Sequence, residues 1–255
     1  MYISHLHTLH YKSSTIKTHL SAISFMLQTV SLPNHTKTFT VQKQLQYFQK
    51  TDTPPSKRKP INVALLTELI SSLTHLLDSR YERYLYSAIF ACMYHGALRV
   101  GEVCYNTSTT HTLQCDNLKI VNYKREKCLR IQFVSHKHSH HSPTPLLLHS
   151  NKYNHCPVLS YSKYTRLRVH NTGPAFLLPS GSPVLRRHIC HILNQSLTFL
   201  GYNHKHYNTH SFRIGKTTDL VSQGHSYPNI ALIGRWKSNA FLNYIKPNTI
   251  HTTKP

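Results

Sequence analysis

The stretch His210-Ser-Phe-Arg213, followed by Gly234-Arg-Trp236 and then by Tyr244-Ile-Lys246, is the most informative part of this sequence. A His and an Arg three residues apart lie on one face of a helix, where both can donate hydrogen bonds to the same anion. A tyrosine further along the chain supplies a hydroxyl that can act as a nucleophile. These residue types in this order suit the cleavage of a phosphodiester bond without a metal ion.

The chain of 255 residues is strongly basic, with 30 Lys and Arg against 8 Asp and Glu and a formal net charge of +22. Charged residues make up only 15% of it, against about 25% in an average domain, so the basicity comes mainly from missing carboxylates. Such a surface attracts polyanions, which makes nucleic acid the first candidate partner. An anionic membrane surface is the second, but no basic amphipathic stretch with an exposed Trp, Phe and Leu face is present.

The scarcity of acidic residues also limits the chemistry. Two-metal nucleases and polymerases hold Mg²⁺ with clustered Asp and Glu side chains. No two acids lie within three residues of each other along this chain: Asp52, Glu68, Asp78, Glu82, Glu102, Asp116, Glu126 and Asp219. We therefore expect no metal ion and no other cofactor.

The 22 histidines include a cluster at His136, His138, His140 and His141. The cluster could bind a transition metal, but a polar loop in a His-rich sequence is the simpler interpretation. The six cysteines form no C-x-x-C pair, and with no signal peptide we expect reduced thiols and an intracellular protein. No run of 18 apolar residues is present, so we expect no membrane span.

Composition along the chain predicts two domains. Residues 13–30 have apolar residues at helical spacing, with Ser13 or Ser14 as the cap, and residues 39–48 suggest a second short helix. Three prolines and the basic triplet Lys57-Arg58-Lys59 follow, which is typical of a linker. We divide the chain into an N-terminal domain, a linker and a larger second domain: 1–50, 51–60 and 61–255.

The second domain is predicted to be mainly helical with a small antiparallel sheet. Period-two alternation of Leu129, Ile131 and Phe133 predicts a half-buried strand. The other strands are expected around 118–120 and 144–148, joined by a turn over 135–143 that carries Lys137. Helices are expected around 65–77, 84–94, 98–103, 160–168, 183–200, 210–221, 228–233 and 239–245.

Three boxes in order resemble the tyrosine recombinases, the family of phage integrases, Cre and Xer. Ala97-Leu-Arg99-Val-Gly-Glu102 is similar to the first Arg box of the family, and His210-Ser-Phe-Arg213 is similar to its H-x-x-R box. Gly234-Arg-Trp236-Lys-Ser ahead of Tyr244 resembles the third box and the nucleophile, and is most similar to recombinases of DIRS and Crypton mobile elements. The resemblance implies a truncated helical core-binding domain over 1–50 and an α+β catalytic domain over 61–255.

The resemblance also implies roles in DNA strand exchange. Tyr244 would attack the scissile phosphate and form a 3′-phosphotyrosyl link, which stores the bond energy so that religation needs no ATP. Arg99 and Arg213 would hold the non-bridging oxygens, and His210 would bind the phosphate and take the tyrosine proton.

Two further catalytic roles follow from the resemblance. Lys137 would protonate the leaving 5′-oxygen, although Lys119, Lys124 and Lys127 lie near the same sheet. Trp236 would donate its indole N–H to the phosphate. It lies eight residues before Tyr244, one fewer than the family spacing, so Arg235 is the alternative residue for this role. The basic residues expected to contact DNA are Lys17, Lys57, Arg58, Lys59, Arg235 and Lys237.

Each of these residues also has a simpler structural interpretation. Arg99 can be a surface cation paired with Glu102, and His210 with Arg213 can be a structural pair. Trp236, the only tryptophan, can belong to the core, and Tyr244 is one of 16 tyrosines. The joint occurrence of the three boxes in order is what favours the catalytic interpretation.

The leading functional hypothesis is an intracellular DNA strand-exchange enzyme that binds double-stranded DNA and, when active, acts on it as a homotetramer. In a eukaryotic host it would reside in the nucleus. The first alternative is a non-catalytic or decayed DNA-binding derivative of a mobile-element recombinase. The second is a type IB topoisomerase, which shares the chemistry but relaxes supercoils without site preference.

Overall fold

The chain divides into two compact units, Met1–Ser56 and Lys57–Pro255. The computed structural model describes residues 2–52, 58–105, 112–133, 145–236 and 241–242. Helices dominate and a three-stranded antiparallel sheet accompanies them, which confirms the predicted fold class. Within these described ranges, every helix is too short or too polar to cross a bilayer.

The first unit consists of three helices: α1 (Tyr2–Thr8), α2 (Ser13–Thr29) and α3 (Phe39–Thr51). Helical spacing of apolar residues predicted α2 and α3, and α3 continues past its predicted end. The apolar faces form one small core: Ile3, Leu6, Ile16, Leu20, Leu45 and Phe48. The interpretation of this unit as a core-binding domain stays a prediction.

The N-terminus of α2 is capped by a distant residue, so the prediction of Ser13 or Ser14 as its cap was wrong. Lys12 occupies the N-cap position without a side-chain hydrogen bond. The Ser13 amide donates to Asp52 Oδ2 at 3.0 Å, and its hydroxyl donates to the same oxygen. These bonds hold the pKa of Asp52 below its usual value. A carboxylate is favourable at this helix end because the first amides have no helical partner.

The second unit contains seven described helices. α5 is at its centre and packs against α4, α7 and α9. Nine of the ten residues from Leu85 to Tyr94 are buried, as expected for a helix that is covered on all sides. The helices are α4 (Val63–Leu76), α5 (Arg80–His95), α6 (Val100–Val103), α7 (Pro157–Thr165), α8 (Arg186–Phe199), α9 (His210–Ser222) and α10 (Tyr227–Gly234).

The sheet has the strand order β1 (Leu118–Tyr123), β2 (Glu126–Ile131) and β3 (Leu146–His149). Both pairings are antiparallel, with Leu118 opposite Ile131 and Ile131 opposite Leu146. The three strands overlap the predicted positions, although β2 ends at Ile131, before Phe133 of the alternating pattern. The predicted turn over 135–143, with Lys137, lies outside the described residues, as does the predicted helix over 239–245 apart from 241–242.

The second half of the predicted linker is held against the second unit. The amide of Lys59 donates to the His206 carbonyl at 2.8 Å, and Arg58 donates through Nη1 to the Lys205 carbonyl. The amide of Ile61 donates to the Ser211 carbonyl at 3.0 Å, in the first turn of α9. Residues 58–61 thus pack beside the N-terminal end of α9.

Candidate active site

The candidate site lies where the C-terminal end of α5 meets the end of α10. Gly96 is the C-cap of α5, and the turn that follows is left-handed at Ala97, with φ of 43°. The last carbonyls of a helix have no partner within it. Here the carbonyls of Gly96 and Ala97 accept hydrogen bonds from two arginines of the other predicted boxes.

Arg213 joins the ends of α5 and α10. Its side chain is buried, with 1% of the residue exposed. Nη1 donates to the Ala97 carbonyl, and Nη2 donates to the Gly234 carbonyl at 2.5 Å. Arg213 belongs to the second box, on α9, and its two hydrogen bonds connect Ala97 of the first box to Gly234 of the third.

Trp236 lies over Arg213, with 3.9 Å between the guanidinium carbon and the centre of the indole. This distance gives a cation–π contact. Gly234 makes the arrangement possible, because a Cβ at that position would lie 1.5 Å from the indole. The Trp236 ring also contacts the buried Phe241, with 6.0 Å between ring centres.

Arg99 and Glu102 form the ion pair that the sequence suggested. Arg99 Nη1 lies 3.3 Å from Glu102 Oε1, and 41% of the Arg99 side chain is exposed. The Arg99 amide donates to Glu102 Oε2 at 2.8 Å and so closes the first turn of α6. Arg99 therefore presents a partly exposed guanidinium at the surface of the site.

Arg235 is the second cation on Glu102, with Nη2 at 2.8 Å from Oε2. Only 8% of the Arg235 side chain is exposed. The sequence reasoning placed Arg235 among the residues that contact DNA, but in the structure its guanidinium points into the protein. The Arg235–Glu102 pair was missed because 133 residues separate its members and neither composition nor spacing links them.

His210 is the first residue of α9 and is exposed. Partial burial of the imidazole lowers its pKa, and the nearby cations Arg213 and Arg99 lower it further. The ring is therefore mainly neutral at pH 7, which is the state that can accept a proton.

The structure brings together four of the predicted catalytic residues: Arg99, His210, Arg213 and Trp236. The remaining two, Lys137 and Tyr244, lie outside the described residues. So do Lys57 and Lys237 of the predicted DNA-binding set.

Of the other predicted DNA contacts, Lys17 is exposed on α2 of the first unit. Arg58 and Lys59 make the contacts with 205–206 already described. Within the described ranges no group of three or more His, Cys, Asp or Glu could hold a metal ion, and the cluster from His136 to His141 falls outside them.

A partly buried pair of histidines, His95 and His155, lies near Lys216 of α9 and was not predicted from the sequence. His95 Nε2 lies 3.0 Å from His155 Nδ1, and the two rings stack. Burial lowers the pKa of His95 to about 3, with a smaller contribution from the charge of Lys216. The pKa of Lys216 is itself lowered by burial.

The His95–His155 pair predicts acid sensitivity. Between pH 7 and pH 5 the unfolded chain gains a proton at His95 that the folded chain does not bind, so the free energy of unfolding falls with falling pH. The contribution is about 2 kcal/mol, from a pKa of about 3 against 6.5 in the unfolded chain. Urea unfolding of His95→Gln at the two pH values should show a pH dependence smaller by about this amount.

The control is the exposed His225→Gln, which leaves the pair intact and should keep the wild-type pH dependence. Equal pH dependence in wild type and His95→Gln would show that the buried pair does not control the acid response.

No protein-family model and no curated protein matches the chain. Solved structures do match. The Tn1549 transposon integrase in complex with transposon right end DNA has a TM-score of 0.63 at 17% identity, over 96% of this chain and 78% of that one. The XerA recombinase has a TM-score of 0.52 at 16% identity, over 98% of this chain and 78% of that one.

The XerH site-specific recombinase bound to palindromic difH substrate has a TM-score of 0.52 at 14% identity, over 73% of this chain. The chain spans about half of that XerH chain, 49%. Identities this low establish similarity of fold. The described part of the chain therefore shares its fold with these integrase and recombinase structures.

Proposed function

We propose that this protein cuts and rejoins double-stranded DNA through a covalent phosphotyrosyl intermediate. The observation that carries the proposal is the cluster of Arg99, His210, Arg213 and Trp236 in a tyrosine-recombinase fold. Residues from three boxes that are remote in sequence converge there, with Arg213 buried and Arg99 partly exposed. If Arg99 with Glu102 and His210 with Arg213 were only separate structural pairs, nothing would require the two pairs to lie close together.

The proposed reaction is a transesterification. The Tyr244 oxygen attacks the scissile phosphorus as the bond from phosphorus to the 5′-oxygen breaks, and the neutral His210 accepts the phenol proton. Lys137 gives a proton to the leaving oxygen, which becomes a 5′-hydroxyl. The reverse reaction with another 5′-hydroxyl rejoins the strand and needs no external energy.

Arg99 is better placed than Arg213 or Arg235 to bind a phosphate, because 41% of its side chain is exposed. Its ion pair with Glu102 fixes the position of the guanidinium. Charge that grows on the non-bridging oxygens would be stabilised by this fixed cation. Arg213 is 1% exposed, packs against the Trp236 indole and donates to two backbone carbonyls. In this conformation Arg213 acts through its charge and by holding the site together.

Tyr244 is within reach of this cluster by chain length. Phe241 is anchored in a small core with Leu220 and Ile230, and its ring contacts Trp236. Tyr244 is three positions after Phe241, and three extended residues span about 10 Å. A tyrosine side chain adds further reach, so the phenol can reach the part of the site that Trp236 forms.

The wider proposal concerns partners and relatives. The net charge of +22 favours a DNA partner. The resemblance to the tyrosine recombinases is the basis for proposing the first unit as part of a DNA clamp and an assembly of four protomers on the DNA. The third box, Gly234-Arg-Trp236-Lys-Ser, supports a relationship to DIRS and Crypton recombinases and hence a nuclear site of action. The eight acidic residues support a reaction without a metal ion.

The test is covalent capture of DNA in excess EDTA. Wild-type protein is incubated at low salt with a library of nicked duplexes whose central segment is randomised, because the nick lets the 5′ fragment leave and traps the intermediate. We expect an SDS-resistant protein–DNA adduct and enrichment of particular sequences. Binding without an adduct would reject cleavage and favour the non-catalytic DNA-binding protein. Supercoil relaxation without sequence preference would favour a topoisomerase.

A further inference from the structure

Arg235 adopts a backbone conformation that is unusual for its residue type. It ends α10 with φ of 56° and ψ of 44°, in the left-handed region that glycine and asparagine normally occupy. This turn directs the Arg235 side chain inward and brings the indole of Trp236 back over Gly234. A disfavoured conformation persists where the surrounding contacts enforce it.

The contacts that enforce it converge on the guanidinium of Arg235. Nη2 lies 2.8 Å from Glu102 Oε2, and Nη1 donates to the Gly96 carbonyl at 3.0 Å. The guanidinium carbon lies 4.3 Å from the centre of the Phe133 ring. With 8% of its side chain exposed, Arg235 has little surface left to offer a ligand.

Glu102 connects this buried cation to the exposed one. Its Oε2 accepts from Arg235 Nη2 and from the Arg99 amide, both at 2.8 Å, which fixes the plane of the carboxylate. Its Oε1 is then directed at Arg99 Nη1, at 3.3 Å. The two arginines and Glu102 together leave one net positive charge. Because the side chains of Arg235 and Glu102 are buried, this charge meets solvent at Arg99.

We propose that Arg235 is a positioning residue, which orients the guanidinium of Arg99 through Glu102 and does not itself contact DNA. The inference rests on the proposed function, because Arg99 is the group taken to bind the phosphate. The proposal therefore replaces the predicted DNA contact of Arg235 with an indirect role, through Glu102. Outer groups of this kind commonly affect a reaction about 10- to 100-fold, since small misplacements of a reacting group slow the chemistry.

The kinetic test compares Arg235→Gln, Arg235→Lys and Arg235→Gly in single-turnover adduct formation. We expect the rate to fall about 10- to 100-fold in Arg235→Gln while DNA affinity stays close to wild type. Arg235→Lys keeps the charge and should recover part of the rate. Arg235→Gly suits the left-handed turn but lacks the guanidinium, so it should be as slow as Arg235→Gln.

The exposed Arg187→Gln is the matched control, since it removes the same charge from the surface of α8 and should leave the rate unchanged. A double-mutant cycle with Glu102→Gln should be non-additive, because both changes break the same connection. A wild-type rate in Arg235→Gln or Arg235→Gly would overturn the inference, as would a loss of DNA affinity with the rate preserved.

A measurement that needs no cleavage separates this inference from the proposed function. The side-chain Nε–H NMR signal of Arg99, assigned by its disappearance in Arg99→Lys, should shift and broaden in Arg235→Gln but not in Arg187→Gln. An Arg99 signal unaffected by Arg235→Gln would refute the positioning role whether or not the wild type cuts DNA. Absence of an adduct with the signal changed would refute only the cleavage reaction.

Discussion

Tyr244→Phe should abolish the covalent protein–DNA adduct. The substitution removes one oxygen atom and keeps the aromatic ring, so packing and DNA affinity should change little. Loss of a catalytic nucleophile reduces an enzymatic rate by orders of magnitude, and we expect at least a thousand-fold decrease. The measurement is SDS-resistant adduct formation on the nicked library, with DNA binding measured in parallel.

The matched control is Tyr227→Phe. Tyr227 lies on α10, is 56% exposed and contacts the ring of Phe241 with 5.6 Å between ring centres. It therefore tests the loss of a phenol oxygen in the same neighbourhood, and its adduct yield should equal that of wild type. An adduct that persists in Tyr244→Phe would mean that another residue carries the DNA, and mass spectrometry of the linked peptide would identify that residue.

Local sequence pattern predicted most of the fold. Helical spacing of apolar residues located α2 and α4, and period-two alternation located β2. Signals of this kind are strong because each acts within one element. The turn between β1 and β2 shows their limit: Lys124 and Arg125 both have positive φ, 48° and 70°, without the Gly or Asn that usually marks such a turn.

The site could be predicted only in part, for a physical reason. The boxes identified which side chains meet, because each box is a local pattern. Their arrangement depends on contacts between boxes, such as those of Arg213 with the carbonyls of Ala97 and Gly234. Nothing local indicates that Arg213 is buried beneath Trp236, or that Glu102 is shared by two guanidinium groups.

Gly215→Ala should destabilise the second unit severely. Gly215 lies in α9, two residues beyond Arg213, and a Cβ there would lie 1.7 Å from the carbonyl oxygen of Ile61 and 3.0 Å from the amide nitrogen of Asn62. The obstructing atoms belong to the backbone, so no rotamer change can relieve the overlap. Overpacking of a core usually costs about 1–3 kcal/mol, and a backbone clash should reach at least the upper end of that range.

Gly101→Ala provides the control for this change. Gly101 lies in α6 between Arg99 and Glu102, and a Cβ at that position meets nothing within 4 Å. Alanine is favoured over glycine in a helix by about 1 kcal/mol, so urea unfolding should show Gly101→Ala equal to or slightly more stable than wild type. Separation of α9 from residues 61–62 would also displace His210 and Arg213, and Gly215→Ala should lose adduct formation together with stability. Unchanged stability in Gly215→Ala would mean that α9 does not pack against Ile61 as closely as the structure has it, and the positions of both residues would then need revision.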